Sequence, residues 1–432
     1  MTAHNLSRNT AWVLKIKKRS INEWMVLCIS LWPFLMNMLL MIPGIPGIIK
    51  YIADGILLIF ALLTFLGKKV AIRRSIFPFV LIVGLFFVYT LLTYLVQYQS
   101  AFYYLWGFRN NFRGYLAFFI YLELSKEQDV HSWYRILDIL FWINLVVSLI
   151  QFFFLGVRQD YLGGVFGIEG GTNGYTQIFM CIVIAKSMLC YQEKKESGKS
   201  CLTKCVASLL VAAMAELKFY FVLFVLLLIM TGLLTRFSWR KILVYIGSGI
   251  AIIICVSLLE GWFGFKGFLS IKEIWRLASK PNYASARDLN RLSAISTLSK
   301  TIVTHPLERL FGLGLGNCDT SSFAIFNTPF YRQYSYLHYT WFTAPMIFLE
   351  TGYIGLMIYL LFFVITFKLA QKRMDKDNLL LCKMAMIMSV LGIIFSFYNS
   401  TLRIEAAYMI YYVLAAPFIK RLNKERKYIL TS

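Results

Sequence analysis

The sequence predicts an all-α polytopic membrane protein with about twelve transmembrane helices, and three observations carry this prediction. Of its 432 residues, 59% are hydrophobic and 17% aromatic, which is more apolar surface than a water-soluble core requires. Apolar stretches of about 20 residues, each enough to cross about 30 Å of hydrocarbon, recur along the chain. Short clusters of lysine and arginine separate many of them, as is typical of cytoplasmic loops.

The apolar stretches give the predicted spans in chain order. Those that stand alone are residues 22–42, 48–66, 76–97, 101–123, 134–156, 174–191, 239–259, 341–367, 379–397 and 404–419. The remaining stretch, residues 203–235, is interrupted by Glu216 and Lys218 and could cross once or twice. The basic clusters on its two sides are both cytoplasmic only if it crosses twice. We therefore predict that both termini are cytoplasmic and that Lys218 lies near the outer surface.

This topology divides the chain into three parts. Residues 1–259 hold spans one to nine, residues 260–340 form a large extracytoplasmic loop, and residues 341–432 hold spans ten to twelve and a cytoplasmic tail. The loop is too long for a simple connector, so we predict a folded functional cap. The net charge of +23 resides mainly in the cytoplasmic clusters, so membrane topology explains it without a nucleic-acid partner.

Charged residues toward the predicted outer face are the first candidates for function. Arg109 and Arg113 lie four residues apart in the fourth span and share one helix face. Because a charge at membrane depth is costly, the pair either binds an anionic group or extends from the outer end of the span toward water. Lys218 likewise has two interpretations, a solvated charge at a helix turn or a positioned cation.

Within the long loop, residues 285–303 read SARDLNRLSAISTLSKTIV and are predicted to form an amphipathic helix. Its apolar side comprises Leu289, Leu292, Ile295 and Leu298. Arg287 and Arg291 are again four residues apart, and the planar fork of an arginine suits phosphate oxygens. A solvated helix face is the other interpretation of these charges.

Two further features follow the arginines. The glycines of GLGLG at 312–316 permit a tight turn and a close approach of the backbone, but the motif is neither a dinucleotide fingerprint nor a P-loop. His338 immediately precedes the tenth span, where an imidazole can take a proton from a hydroxyl group. An interfacial histidine without a special role fits this position equally well. No HExxH or cysteine-rich pattern predicts a metal site.

Taken together, these segments resemble the O-antigen ligase and polysaccharide polymerase superfamily, Wzy-like proteins included. The similar features are a late outer loop with an arginine-containing helix, LFGLGLGN at 310–317, His338, FLETGYIGLMIYLLFF at 348–363, GGVFGIEGGTNGY at 163–175 and AELKFYFVLF at 215–224. The resemblance covers most of the chain, through short motifs.

The resemblance implies a GT-C-like, metal-independent glycosyltransferase without a cofactor. Its reaction would join oligosaccharide repeat units, linked to undecaprenyl diphosphate, into capsular, exopolysaccharide or O-antigen chains at the outer face of the cytoplasmic membrane. Donor and acceptor would both be lipid-linked, and a chain-length regulator protein would be a further partner.

The resemblance also implies roles for particular residues. The catalytic histidine of the family falls on His338, and its loop arginine on Arg291 or Arg287, with the spacing to the GLGLG motif favouring Arg291. A third basic residue falls on Lys218, where relatives often have arginine. The remaining expected substrate contacts and supporting residues are Arg109, Arg113, Gly312, Gly314, Gly316 and Glu350.

Two other functions stay open at this point. An O-antigen ligase, which transfers a finished glycan to a terminal acceptor, shares the fold and the same residues. A flippase or transporter for lipid-linked sugars belongs to a different class and requires binding charges near the middle of the bilayer. Here the basic candidates gather toward the outer face and in the loop, which favours a transferase.

Overall fold

The computed structural model describes residues 20–40, 42, 44–45, 49–65, 73–97, 100–235, 239–264, 288–321 and 323–419. Within these ranges the chain forms α-helices and short 3-10 turns and no β-strand. In chain order the helices are α1 Ile21–Leu40, α2 Ile49–Phe65, α3 Phe77–Gln97, α4 Ala101–Leu124, α5 Glu127–Phe153, α6 Asn173–Gln192, α7 Gly198–Met214, α8 Lys218–Leu233, α9 Trp239–Phe263, α10 Ala294–Thr301, α11 Pro306–Phe311, α12 Pro329–Tyr334, α13 Thr343–Lys372, α14 Leu379–Tyr398 and α15 Ala407–Ala415.

Among the described residues, 7 helices are long and apolar enough to cross a membrane, namely α1, α3, α5, α6, α9, α13 and α14. Shorter apolar helices lie at Tyr51–Thr64, Lys218–Leu233 and Ala407–Phe418. The outer faces of the long helices expose leucine, isoleucine and valine, whereas α6 and α15 are buried in the centre of the bundle. Exposed aliphatic faces around a buried centre suit a lipid environment. The prediction of an all-α membrane protein is confirmed.

The interrupted stretch at 203–235 forms two helices rather than one. Helix α7 ends at Met214, and α8 begins at Lys218. Between them Glu216 has a left-handed backbone, with φ of 54°, and the Leu217 N–H donates to the Ala212 carbonyl at 2.8 Å. This reversal separates the two helices at the two charged residues that interrupt the apolar pattern.

The amphipathic helix expected at 285–303 is shorter in the structure, since α10 spans only Ala294–Thr301 and residues 288–293 are not helical. Leu298 is buried as expected, but Leu292 is 73% exposed. The physical reason lies in the backbone, because the Leu289 N–H donates to the Leu337 carbonyl at 3.2 Å. That contact with a distant segment replaces a further helical turn.

Helix α13 is broken at Gly352, which has φ of 65° and ψ of −169°. A break of this kind frees backbone carbonyls, and each needs a new donor when it is buried. The carbonyls of residues 349–351 accept, in order, from the Leu313 N–H at 2.8 Å, the Gly314 N–H at 3.0 Å and the Tyr89 hydroxyl at 2.8 Å. The GLGLG segment therefore fits against the break in α13.

This fit depends on glycines that allow backbone to approach backbone. Gly316 has φ of 87°, and a Cβ there would lie 1.8 Å from the Tyr103 carbonyl oxygen on α4. Gly312 has φ of 79°, and its Cβ would lie 2.4 Å from the Glu350 carbonyl carbon. The GLGLG segment thus joins the loop to both α4 and α13.

We expect Gly316→Ala to destabilise the protein by about 3 kcal/mol or more, because it adds left-handed strain to a steric clash with α4. The matched control is Gly261→Ala in α9, where an added Cβ meets nothing within 4 Å. Thermal unfolding of both purified variants in the same detergent measures the difference. Equal melting temperatures would show that the contact between the loop and α4 is dispensable.

Candidate functional site

His338 occupies an unusual backbone position just before α13. It lies between two 3-10 turns, Ser335–Leu337 and Tyr339–Trp341, with φ of 53° and ψ of 28°. A residue with a Cβ pays about 1–2 kcal/mol for this left-handed conformation. The N–H of His338 donates to the Ser335 carbonyl, and its own carbonyl accepts from the Trp341 N–H, both at 3.0 Å. The backbone therefore makes a tight turn at His338.

The His338 ring makes a hydrogen bond through one nitrogen and a stacking contact through one face. Its Nδ1 lies 2.7 Å from Oδ1 of Asp288, and the ring stacks on Trp341 with centroids 4.1 Å apart and planes 16° apart. The Asp288 side chain is 6% exposed and that of His338 is 41% exposed. No described residue hydrogen-bonds Nε2. The buried carboxylate thus fixes one imidazole nitrogen, and the part of the chain that the structure describes leaves the other without a hydrogen-bond partner.

Arg291 follows Asp288 by three residues and comes from the same turn segment. Its guanidinium carbon lies 4.5 Å from the centroid of the Tyr398 ring and 5.9 Å from that of Phe342. Its Nε also donates to the Tyr398 carbonyl at 3.3 Å. An arginine stacked on an aromatic ring keeps its planar fork oriented. The segment at 288–291 therefore carries both the carboxylate of Asp288 and the oriented guanidinium of Arg291.

Lys218 begins α8 and pairs with Glu216, its Nζ lying 3.0 Å from Oε1 of that residue. The next residue, Phe219, stacks face to face on Tyr398, with ring centroids 3.8 Å apart and planes 12° apart. Since Tyr398 also supports Arg291, its ring connects the start of α8 with the long loop. Arg291 contacts the Tyr398 ring directly, whereas Lys218 is placed near it only by the chain, as the residue before Phe219.

These contacts, joined by the chain segments 288–291 and 218–219, define one group of residues, which we name the histidine cluster. Its members are Lys218, Phe219, Asp288, Arg291, His338, Trp341 and Tyr398. The group offers a hydrogen-bonded imidazole, two cations and aromatic surfaces, which is a set suited to proton abstraction beside an anionic leaving group. Arg287 lies outside the described residues, so these contacts concern Arg291 alone.

Arg109 and Arg113 have carboxylate partners within the bundle. Arg109 pairs with Asp54 on α2, and Arg113 lies 3.1 Å from Asp54 and 2.6 Å from Glu405. The Arg113 side chain is 2% exposed. Within the described part of the chain, neither arginine contacts the histidine cluster. Because buried charges need partners, these ion pairs favour a structural role over the predicted binding of an anionic group.

A second polar network fastens the loop to the bundle. Arg403 donates from Nη2 to Asp319 in the loop at 2.6 Å and from Nε to Asn111 on α4 at 3.1 Å. Asn110 donates to Asp319 at 2.7 Å, and Asn111 donates to the fully buried Glu350 of α13 at 3.2 Å. The network links α4, α13 and the loop next to the GLGLG segment. Glu350 and the glycines of that segment therefore help to hold the loop against the helices.

Tyr339 anchors the turn that follows His338. Its hydroxyl donates to the Cys318 carbonyl at 2.7 Å, and its side chain is buried. Burial raises the pKa of the Tyr339 hydroxyl above its ordinary value, so this group stays a neutral donor. The anchor connects the position of His338 to the same loop segment that carries Asp319.

Sequence reasoning missed Asp288, Asp319, Arg403 and Tyr398. Asp288 and His338 are 50 residues apart in the chain, and no periodic signal connects them. The polar run RNNFR at 109–113 is the one signal that could have indicated the network, because two asparagines beside two arginines are rare inside a membrane span.

Fold and site together define the class of this protein, an all-α membrane protein with an Asp–His pair in the loop that precedes α13. No protein-family model matches the sequence, and no curated protein matches it either. Among the described residues, no group of three or more His, Cys, Asp or Glu side chains is arranged to hold a metal ion. Functional assignment therefore depends on the chemistry of the histidine cluster.

Proposed function

We propose that the protein is a membrane glycosyltransferase, and specifically a polymerase that joins lipid-diphosphate-linked oligosaccharide repeat units. The hydrogen bond between His338 and Asp288 carries this proposal. A carboxylate on one imidazole nitrogen leaves the other as a proton acceptor, which is the arrangement that general bases use to activate hydroxyl groups. A flippase moves its substrate without breaking bonds, so it does not require a base that activates a hydroxyl group.

In the proposed reaction His338 takes the proton of an acceptor hydroxyl. The acceptor oxygen forms a bond to the anomeric carbon of the donor sugar. The bond from that carbon to the diphosphate oxygen breaks, and its electron pair leaves with the diphosphate. Arg291 and Lys218 stabilise the negative charge that grows on this leaving group, Arg291 through its fork and Lys218 as a point charge.

The proposal includes a location and a topology. We propose twelve spans in the cytoplasmic membrane, with both termini in the cytoplasm and the histidine cluster at the outer face. The separation of α7 from α8 at 215–217 supports the double crossing that the basic clusters require. A site at the interface admits a lipid-linked donor sideways from the bilayer while its sugars remain in water.

Reconstitution tests this function. The purified protein is placed in liposomes with undecaprenyl-diphosphate-linked oligosaccharide, which is extracted from the cells that naturally make this protein. The glycans are then resolved by size. We expect a ladder of products extended by whole repeat units, with the same yield in the presence of EDTA. Transfer of glycan only to an added glycolipid acceptor would show that the protein is a ligase and not a polymerase. Movement of the donor across the bilayer without a new glycosidic bond would contradict the proposal.

A further inference from the structure

The Asp288 carboxylate contacts the nitrogen of His338 that faces the protein. A carboxylate is an acceptor only, so in a neutral imidazole the hydrogen lies on Nδ1 and the lone pair lies on Nε2. With 2.7 Å between Nδ1 and Oδ1, the contact is a short, charge-assisted hydrogen bond. The carboxylate thus determines which tautomer of His338 is present.

The backbone around this pair makes the contact hard to lose. The residue after Asp288 and the residue before His338 are joined by the hydrogen bond from the Leu289 N–H to the Leu337 carbonyl. The Trp341 ring covers one face of the imidazole. Because the carboxylate is buried and the backbone beside it is paired, a rotation of the imidazole away from Asp288 would leave a buried charge without this partner.

We propose that Asp288 is a positioning residue for His338, a role that rests on the proposed transferase function. It holds the Nδ1 hydrogen, so that Nε2 is the nitrogen that receives the proton of the acceptor hydroxyl. When that proton arrives, the imidazolium carries hydrogen on both nitrogens, and the negative charge of Asp288 stabilises it. Asp288 keeps its own charge throughout and touches neither substrate.

Kinetics of Asp288→Asn test this role. Asparagine either turns its amide N–H₂ toward Nδ1, which moves the ring hydrogen to Nε2, or keeps its oxygen there without the negative charge. Both outcomes weaken Nε2 as a proton acceptor. We expect kcat to fall by about 100-fold or more, with KM for the lipid-linked donor changed less than about threefold. Asp288→Glu should recover part of kcat, since it keeps a carboxylate.

The matched control is Glu308→Gln, which makes the same chemical change elsewhere in the loop and should leave kcat unchanged. Melting temperatures of the variants separate loss of fold from loss of rate. A wild-type kcat for Asp288→Asn, or an equal loss of kcat and of folded protein, would overturn the positioning role. Loss of kcat in Glu308→Gln as well would show that the effect is not specific to the Asp288 carboxylate.

A second measurement does not depend on transferase activity. Diethyl pyrocarbonate modifies the unprotonated nitrogen of histidine, and mass spectrometry of the peptide that contains His338 gives the rate at that residue. At a pH high enough for histidine to be neutral in every variant, we expect slower modification of His338 in Asp288→Asn and an unchanged rate in Glu308→Gln. An unchanged rate in Asp288→Asn would refute the positioning role even if transfer is observed. A wild type without transferase activity would refute the proposed function, while this rate still reports on Asp288.

Discussion

Replacing His338 with asparagine is expected to abolish glycan extension while leaving the fold intact. Asparagine is one of the few residues that adopt a left-handed backbone readily, which His338 requires. Its side-chain amide can also donate to Asp288. It has no basic nitrogen, however, so the acceptor hydroxyl keeps its proton. We expect a rate loss of about 1,000-fold in the reconstituted assay, within the range typical of a missing general base.

Two further variants separate chemistry from backbone strain at this position. Glycine enters the left-handed region freely, whereas alanine does not. The His338→Gly variant should therefore be more stable than His338→Ala, by about 1 kcal/mol in the free energy of unfolding. Both should be inactive. His305→Asn, at the exposed N-terminal end of α11, should retain full activity. Polymer of wild-type length made by His338→Asn would refute His338 as the base.

Arg291→Ala is expected to reduce chain extension far more than Arg291→Lys does. Alanine removes both the positive charge and the stacking on Tyr398, so in the proposed reaction the leaving diphosphate would lose a stabilising contact. Lysine keeps the charge but not the planar fork or the stacked geometry. We expect losses of about 100-fold or more for alanine and about tenfold for lysine, measured as kcat in the same assay.

The control for this comparison is Arg332→Ala, because Arg332 is an exposed arginine in the same loop, on α12. It should leave kcat and the melting temperature unchanged. Equal activity for Arg291→Ala and Arg291→Lys would argue against a diphosphate contact at Arg291. An equal loss of activity in Arg332→Ala would point to the general charge of the loop instead.

The sequence predicted the class of fold and the types of residue at the candidate site. Apolar stretches and basic clusters are local signals, so they identify membrane helices without knowledge of the packing. The same signals divided 203–235 into two helices at Glu216 and Lys218, as the structure has it. His338, Arg291 and Lys218 were selected by residue type, position and resemblance, and their roles stay predictions.

Where the sequence misjudged the loop, long-range contacts were the cause. Periodicity in 285–303 predicted a helix that the structure shortens, because Leu289 pairs with the backbone at Leu337 instead. For Arg109 and Arg113 the sequence left two interpretations open, because their partners Asp54 and Glu405 lie far away in the chain. A partner brought close only by packing leaves no periodic signal near either residue.

By itself, then, the sequence determined that this is an all-α membrane protein with basic candidates around a histidine before a late span. Only the tertiary structure brought Asp288 to His338, 50 residues away, and joined Arg291 to Phe219 through Tyr398. The physical reason is that hydrophobic patterning is a local signal, which identifies the buried face of a helix from residues one or two turns apart. Hydrogen bonds and ring stacking instead depend on where the whole bundle brings separate segments together.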